Sequence, residues 1–247
     1  MLSLIDPVTL LLASLIIFTG ALTQSLIGFG LAVVATPLLY IVDPELVPVP
    51  VIVMGFSIAL LTLIRERGHL EFNGLQYALL GRLPGGLIGA TLLLLAPQPI
   101  LGLTIALIVA VAVFLSLRKY SIKINRLSLF IAGIFSGIFG TVAAIGGPPM
   151  ALLLAGKDAS QFRAALSAFF IFSSLIALII LGCFGLLTLK HLWLSLLLLP
   201  SVFLGFLVAG RLVGRVDKEK TRSLTLALCT LSALLLTIKS SLALING

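Results

Sequence analysis

Two clusters of helix-breaking residues interrupt the most apolar stretches of the chain. They are Gly28-Phe29-Gly30 and Gly146-Gly147-Pro148-Pro149. Glycine allows positive φ and proline suits the first turn of a helix, so we expect new helices to begin near Leu31 and near Pro149. The start of a helix offers unpaired N–H donors and about half a positive charge. Two such starts brought together would form an anion-binding site that needs no lysine.

Polar side chains near the clusters add candidate donors. Our candidate substrate-binding residues are Thr23, Gln24, Gly28, Phe29, Gly30, Thr36, Pro37, Arg82, Thr141, Gly146, Gly147, Pro148 and Pro149. The threonine hydroxyls have a structural alternative, because they often bond to carbonyls of their own helix. The glycines have one as well, since small residues let transmembrane helices pack closely. Both interpretations stay open at the level of sequence.

Arg82 is the one basic residue inside an apolar run. A charge within a membrane span is a candidate functional residue by default, because burying it is costly. Arg82 nevertheless lies close to the start of its predicted span at Leu75, so its long side chain could also reach back to the lipid headgroups. The sequence leaves both positions of the guanidinium open.

The composition requires a membrane around these elements. The 247 residues are 60% hydrophobic and 10% charged, with a mean hydropathy of +1.29, whereas soluble domains have about 25% charged residues. Lipid cannot satisfy backbone hydrogen bonds, and the apolar runs are continuous rather than alternating, so we predict an all-α integral membrane protein and no β-barrel. The net charge of +8 is scattered among short loops. That pattern encodes membrane orientation and argues against a nucleic-acid partner.

Six stretches are predicted as ordinary single spans. They are Val47–Ile64, Leu75–Ala96, Ile100–Leu117, Ala164–Leu181, Leu192–Gly210 and Ser223–Leu244. Two further stretches, Val8–Val42 and Leu127–Ala155, are too long for one straight span and too short for two spans and a turn. Each contains one of the helix-breaking clusters, so we predict a broken helix or a helical hairpin in both.

The two halves of the sequence repeat each other. Leu83-Pro84 with Gly89 recurs as Leu199-Pro200 with Gly205, and Ile27-Gly28 recurs as Ile145-Gly146. We therefore predict two pseudo-symmetric repeats, residues 1–120 and 121–247, within one membrane domain. Each repeat would consist of one broken element followed by three transmembrane helices.

Basic residues indicate how the repeats are oriented. If each broken element is a hairpin that returns to the side it entered from, most of the 16 basic residues fall on one side. Positive residues mark the cytoplasmic side, so both termini are expected on the non-cytoplasmic side of the membrane. The second repeat would then be inverted relative to the first. Inverted repeats with discontinuous helices are typical of transporters.

The residues around the breaks also resemble those of a known family. Thr23-Gln24-Ser25-Leu26-Ile27-Gly28-Phe29-Gly30, followed by Thr36-Pro37-Leu38-Leu39, is similar to the first-repeat motif of the TauE/SafE sulfite exporter family. Gly137-Ile138-Phe139-Gly140 through Ile145-Gly146-Gly147-Pro148-Pro149 resembles its second-repeat motif. The resemblance covers essentially the whole chain and implies a bacterial inner-membrane transporter of sulfur-containing anions. One departure is Phe29, which stands where the family often has a glycine-rich segment, and its ring would shape the pocket for a larger organic anion or plug it from one side.

Together these features predict a secondary transporter or exporter that moves sulfite, a sulfonate or a sulfoacetate-like anion by alternating access. An anion channel, a transporter of a non-sulfur organic anion and a non-transporting subunit of a membrane complex remain alternatives. The spans contain no acid–base, nucleophile or metal cluster, so we predict no enzyme activity, no metal and no cofactor. The expected partners are a small anion and membrane lipids. An oligomer is compatible with the sequence, because lipid-facing and partner-facing surfaces have similar composition.

Overall fold

The computed structural model describes residues 5–70, 74–117, 124–212 and 218–245, with only the backbone in 218–222. This part of the chain is helical and contains no β-strand, which confirms the all-α prediction. The helices are α1 (Pro7–Ile27), α2 (Leu31–Val42), α3 (Val49–Glu66), α4 (Leu75–Leu95), α5 (Gln98–Leu117), α6 (Arg126–Ala143), α7 (Gly147–Leu154), α8 (Ala159–Cys183), α9 (Leu189–Leu212) and α10 (Lys218–Ile245). Short 3₁₀ turns at Pro44–Leu46 and Arg67–His69 flank α3.

Eight helices of the described chain are long and apolar enough to cross a membrane: α1, α3, α4, α5, α6, α8, α9 and the part of α10 from Ser223. This makes the chain a multi-pass membrane protein. The sequence predicts six full spans, and the difference lies in the two broken elements. Their first legs, α1 and α6, have 21 and 18 residues. At about 1.5 Å per residue, even 18 residues rise about 27 Å, close to the thickness of the hydrocarbon core. Only the second legs, α2 and α7, are short, with 12 and 8 residues.

The breaks are made by the residues that the sequence indicates. Gly28 and Gly30 have φ of +107° and +129°, which L-residues with a side chain rarely adopt. After this turn α2 begins at Leu31, as predicted. In the second break α7 begins at Gly147, with two prolines in its first turn, within two residues of the predicted start.

The first break folds the chain back along α1. The Leu31 backbone N–H donates to Gln24 Oε1 at 3.2 Å. Leu31 also lies so close to α1 that a Cβ on Gly20 would be 3.0 Å from the Leu31 carbonyl oxygen. These contacts at the first residue of α2 place α2 alongside α1.

Charged side chains pair at the two ends of the helix bundle. At one end Lys190 forms an ion pair with Glu45, and Lys239 Nζ donates to the Ile41 carbonyl oxygen at 2.7 Å. The other end holds Arg65 and Arg163, described below. This grouping agrees with the predicted division of charge. The side that faces the cytoplasm, the inversion of the repeats and the division near residue 120 stay predictions, and the basic residues Arg118, Lys119, Lys123 and Arg215 lie outside the described residues.

Glycines allow α4 and α6 to pack with their backbones in contact. A Cβ on Gly85 would overlap the Ile134 carbonyl oxygen, and a Cβ on Gly133 would overlap the Ala78 carbonyl oxygen. The same role falls to Gly205 of α9, where a Cβ would lie 2.8 Å from a backbone oxygen of α1. In the predicted repeat, α1 corresponds to α6 and α4 corresponds to α9. The contact between α4 and α6 is therefore the counterpart of the contact between α9 and α1.

Gly85→Ala is expected to destabilise the protein by about 2 kcal/mol, because overpacking a tight helix contact forces backbone shifts. Gly210→Ala is the matched control, since Gly210 lies in a helix, is exposed and would have no atom within 4 Å of an added Cβ. The measurement is the thermal unfolding temperature in detergent, which should fall for Gly85→Ala and stay level or rise for Gly210→Ala. Equal effects of the two substitutions would contradict the close α4–α6 contact.

Candidate functional site

A cavity of about 40 Å³ lies between the two breaks; we call it the central cavity. Six of the candidate residues line it: Gln24, Phe29, Gly30, Arg82, Gly146 and Gly147. Helices α3 and α8 complete the wall, among others with Gly55, Phe170 and a pair of serines. The folding of two distant segments around one cavity is the juxtaposition that the repeat pattern predicts.

The three candidate threonines lie outside the wall of the central cavity. Thr23 Oγ1 donates to the Thr19 carbonyl oxygen of its own helix at 2.9 Å, the structural alternative considered above. Thr36 Oγ1 donates to the Ala143 carbonyl oxygen at 2.7 Å and so connects α2 to the end of α6. The Thr141 hydroxyl is buried without a hydrogen-bond partner among the described residues.

The other four candidates also have positions away from the cavity. Gly28 packs against the start of α8, where a Cβ would lie 2.9 Å from Arg163 Cγ. Pro37 is buried within α2. Pro148 and Pro149 form the first turn of α7, and Pro148 faces a separate cleft. The structure therefore gives these residues a part in forming the breaks rather than in the wall.

Arg82 is buried, with 3% of its surface exposed. Its Nε donates to the Ser173 carbonyl oxygen at 2.9 Å, and its Nη1 donates to the Ser136 carbonyl oxygen at 2.5 Å. The guanidinium thus points between α6 and α8 and does not reach for the headgroups. No carboxylate of the described residues forms an ion pair with it. A positive charge that is buried beside a cavity without a counter-charge favours an anion there.

A glycine in α6 makes room for the Arg82 guanidinium. A Cβ on Gly140 of α6 would lie 2.5 Å from Arg82 Nη1, so only a glycine leaves room for the charged group. Ser136, one turn earlier on the same helix, donates its hydroxyl to the Gly146 carbonyl oxygen at 2.6 Å. Ser136 Oγ also lies 3.3 Å from Arg82 Nη1. One serine therefore links the buried charge to the second break.

Sequence reasoning missed the serines of the site. Ser173 and Ser174 of α8 line the central cavity, and the hydroxyl of neither forms a hydrogen bond with another part of the described chain. Ser136 supports Arg82 from α6. Polar residues within an apolar span could have indicated these positions in the sequence. The adjacent serines Ser173 and Ser174 in α8 are the clearest case.

Some backbone groups at the helix starts are not free to donate. Gln24 Oε1 already accepts the Leu31 N–H at the start of α2. In the first turn of α7, Pro148 and Pro149 have no N–H and so donate no hydrogen bond. Side-chain donors from Arg82 and the α8 serines therefore complement the helix starts.

The family model described as sulfite exporter TauE/SafE matches residues 12–236 of the chain. This range contains both breaks and every residue that lines the central cavity. A search of curated proteins and a search of solved structures each gave no match.

Ser136→Ala is expected to destabilise the protein by about 1–3 kcal/mol, because the buried Gly146 carbonyl loses its hydroxyl donor. Ser57→Ala is the matched control, since the Ser57 hydroxyl donates only to the Val53 carbonyl of its own helix, at 2.9 Å. Thermal unfolding in detergent measures both variants. A Ser136→Ala variant that unfolds at the wild-type temperature would show that the link to the second break contributes nothing.

Proposed function

Because the chain belongs to the TauE/SafE sulfite exporter family, we propose that it carries a small sulfur oxyanion such as sulfite across the inner membrane, with the central cavity as the binding site. The observation that carries this proposal is the buried guanidinium of Arg82 in the cavity wall, without a carboxylate partner among the described residues. The family makes the protein a membrane transporter of the sulfur-anion class. The substrate and the site are our inference.

Electrostatics supports an anion over a cation. Two opposite unit charges about 4 Å apart attract by about 4 kcal/mol at an effective dielectric constant of about 20, and a cation would be repelled by a similar amount. Arg82 provides the positive charge, and the hydroxyls of Ser173 and Ser174 provide neutral donors. This set of groups suits an oxyanion, whose oxygens only accept hydrogen bonds.

The size of the cavity supports a small substrate. A volume of about 40 Å³ accommodates about three water-sized particles, since one water needs roughly 10–15 Å³ in this measure. Sulfite, a sulfur atom with three oxygens, is of this size class. An organosulfonate with a carbon chain would require the cavity to enlarge, so we place sulfite before the larger sulfonates.

Separate clefts at the two ends of the bundle support alternating access. A cleft of about 300 Å³ is bordered by Pro148, Lys157 and Phe162; we call it the Lys157 cleft. A cleft of about 210 Å³ is bordered by Glu45 and His191; we call it the Glu45 cleft. The central cavity lies apart from both, which favours a transporter that opens to one side at a time over a continuously open channel.

Replacing Arg82 by methionine is expected to abolish saturable sulfite flux in proteoliposomes and to raise the Kd for sulfite at least about tenfold, because a charge-assisted hydrogen bond contributes about 1.5–3 kcal/mol. Binding is measured as the thermal stabilisation by sulfite, which follows mass action. The substitution also removes the donors of the Ser136 and Ser173 carbonyl oxygens, so flux and binding are compared on variant protein that still shows a cooperative thermal unfolding transition in detergent.

Arg67→Met is the control for Arg82→Met, because Arg67 is an exposed arginine in the turn after α3. It should leave flux and binding at wild-type levels. A folded Arg82→Met variant that still binds and transports sulfite like the wild type would overturn the proposed site.

Gly147→Leu should block transport by filling the central cavity. A Cβ at this position would lie 3.0 Å from Phe170 Cζ and 3.4 Å from Phe29 Cβ, so a larger side chain must occupy the cavity or displace its wall. Gly156→Leu is the control, because a Cβ on Gly156 has no neighbour within 4 Å. Sulfite flux in proteoliposomes should be lost for Gly147→Leu and kept for Gly156→Leu, and undiminished flux in a folded Gly147→Leu variant would count against the site.

A further inference from the structure

Phe29 lies between the central cavity and the Lys157 cleft. It lines both, and it is the one residue of the described chain that the two linings share. The Glu45 cleft has no lining residue in common with the central cavity. One residue therefore borders both spaces on the side of the Lys157 cleft, and none does so on the side of the Glu45 cleft.

An aromatic neighbour holds the Phe29 ring in this position. The rings of Phe29 and Phe162 meet edge to face, with centroids 6.3 Å apart and planes at 67°. Such pairs are attractive beyond the area they bury. Phe162 also packs against the first break, since a Cβ on Gly28 would lie 3.3 Å from its ring. The start of α8 thus supports both the turn and the ring.

A charged cluster fixes the start of α8 to the neighbouring helices. Arg163, next to Phe162, donates through Nε to Glu66 Oε1 at 2.9 Å. Glu66 also pairs with Arg65 at 3.4 Å. Arg65 in turn donates to the Ser25 hydroxyl at 3.0 Å and to the Ser25 carbonyl oxygen at 2.8 Å. The ends of α1 and α3 and the start of α8 are thereby held together around the first break.

Glycines flank Phe29 on both sides in the turn between α1 and α2. Gly28 and Gly30 both have positive φ, and glycine changes between backbone conformations at lower cost than any other residue. Hinges are a few such positions at the ends of helices that absorb the change in φ and ψ. The ring can therefore swing aside without unwinding α1 or α2.

We propose that Phe29 is the gate that separates the central cavity from the Lys157 cleft and that it sets the upper size of the transported anion. The inference rests on the proposed function, in which the central cavity is the transport site. With the ring in place the cavity holds about 40 Å³, and with the ring displaced it joins a cleft of about 300 Å³. Lys157 lies at the border of this cleft, on the side of the proposed gate.

The first experiment measures access to the central cavity without any substrate. A single cysteine at Ser174, in the full chain with Cys183→Ser and Cys229→Ala, is labelled with a membrane-impermeant thiol reagent added to one side of vesicles at a time. A closed gate that is open for about 10% of the time or less limits labelling, so Phe29→Ala should speed it about tenfold or more. The gain should occur only from the side of the Lys157 cleft.

Phe203→Ala is the matched control, because Phe203 is an exposed phenylalanine on α9 away from the cavity; it should label at the wild-type rate. Phe29→Leu, a milder change, should give an intermediate rate and decides the matter if Phe29→Ala does not fold. An unchanged rate in the folded Phe29 variants, or a gain from the side of the Glu45 cleft, would overturn the gate.

The second experiment compares sulfite with ethanesulfonate, an anion that carries two additional carbons. Phe29→Ala should raise the flux of ethanesulfonate relative to sulfite at least several-fold in proteoliposomes, and Phe203→Ala should leave the ratio unchanged. Failure of the proposed function appears separately, as a wild-type protein that moves no anion while labelling still depends on Phe29. A third outcome is sulfite flux that depends on Arg82 while Phe29→Ala leaves the ratio of ethanesulfonate to sulfite flux unchanged. That result would refute the gate and leave the proposed function intact.

Discussion

The hydrogen bonds of the Arg82 guanidinium are the interaction on which the rest of the site depends. A charge in a low-dielectric interior is costly unless donors and acceptors surround it, and here the carbonyl oxygens of Ser136 and Ser173 accept from it. Those carbonyls come from α6 and α8, so one side chain from α4 holds three helices at the cavity wall. The arrangement also requires glycines, because Gly140 leaves room for the guanidinium and Gly85 lets α4 approach α6. The position of the buried charge therefore depends on the close packing of α4 against α6.

Broken helices inside a membrane need partners for the backbone groups that they release. Several side chains that resemble ligands in sequence serve this purpose. Gln24 accepts the first N–H of α2, Thr36 donates to the Ala143 carbonyl at the end of α6, and the Ser136 hydroxyl satisfies Gly146. The Thr36 bond crosses from the first half of the chain to the second. The Thr36 bond thus satisfies a backbone carbonyl and joins the two breaks at once. In the proposed site, Arg82 and the serines of α8 are left to contact the anion.

Local features of the sequence predict local features of the structure. The apolar runs predict the helices. The breakers predict helix starts near Leu31 and near Pro149, and the structure has them at Leu31 and Gly147. The sequence could not predict which face of each helix packs against a neighbouring helix. A helix that is apolar all round has no hydrophobic periodicity that marks its buried face. Burial of Arg82 and exposure of Ser174 to the cavity follow from how α4, α6 and α8 pair. For the same reason the sequence could not separate Gln24, which lines the cavity, from Thr23, which bonds to its own helix.

The predicted repeat pattern bears on the proposed role of Phe29. Since Ile27-Gly28 corresponds to Ile145-Gly146, Phe29 corresponds to Gly147. The two positions lie next to each other in the structure, since a Cβ on Gly147 would lie 3.4 Å from Phe29 Cβ. A side chain at both positions would fill the space between the breaks, and a side chain at neither would leave the cavity open to the Lys157 cleft. One phenylalanine against one glycine thus gives two similar breaks a cavity that a single side chain borders toward the Lys157 cleft, and this asymmetry is what the proposed one-sided opening step requires.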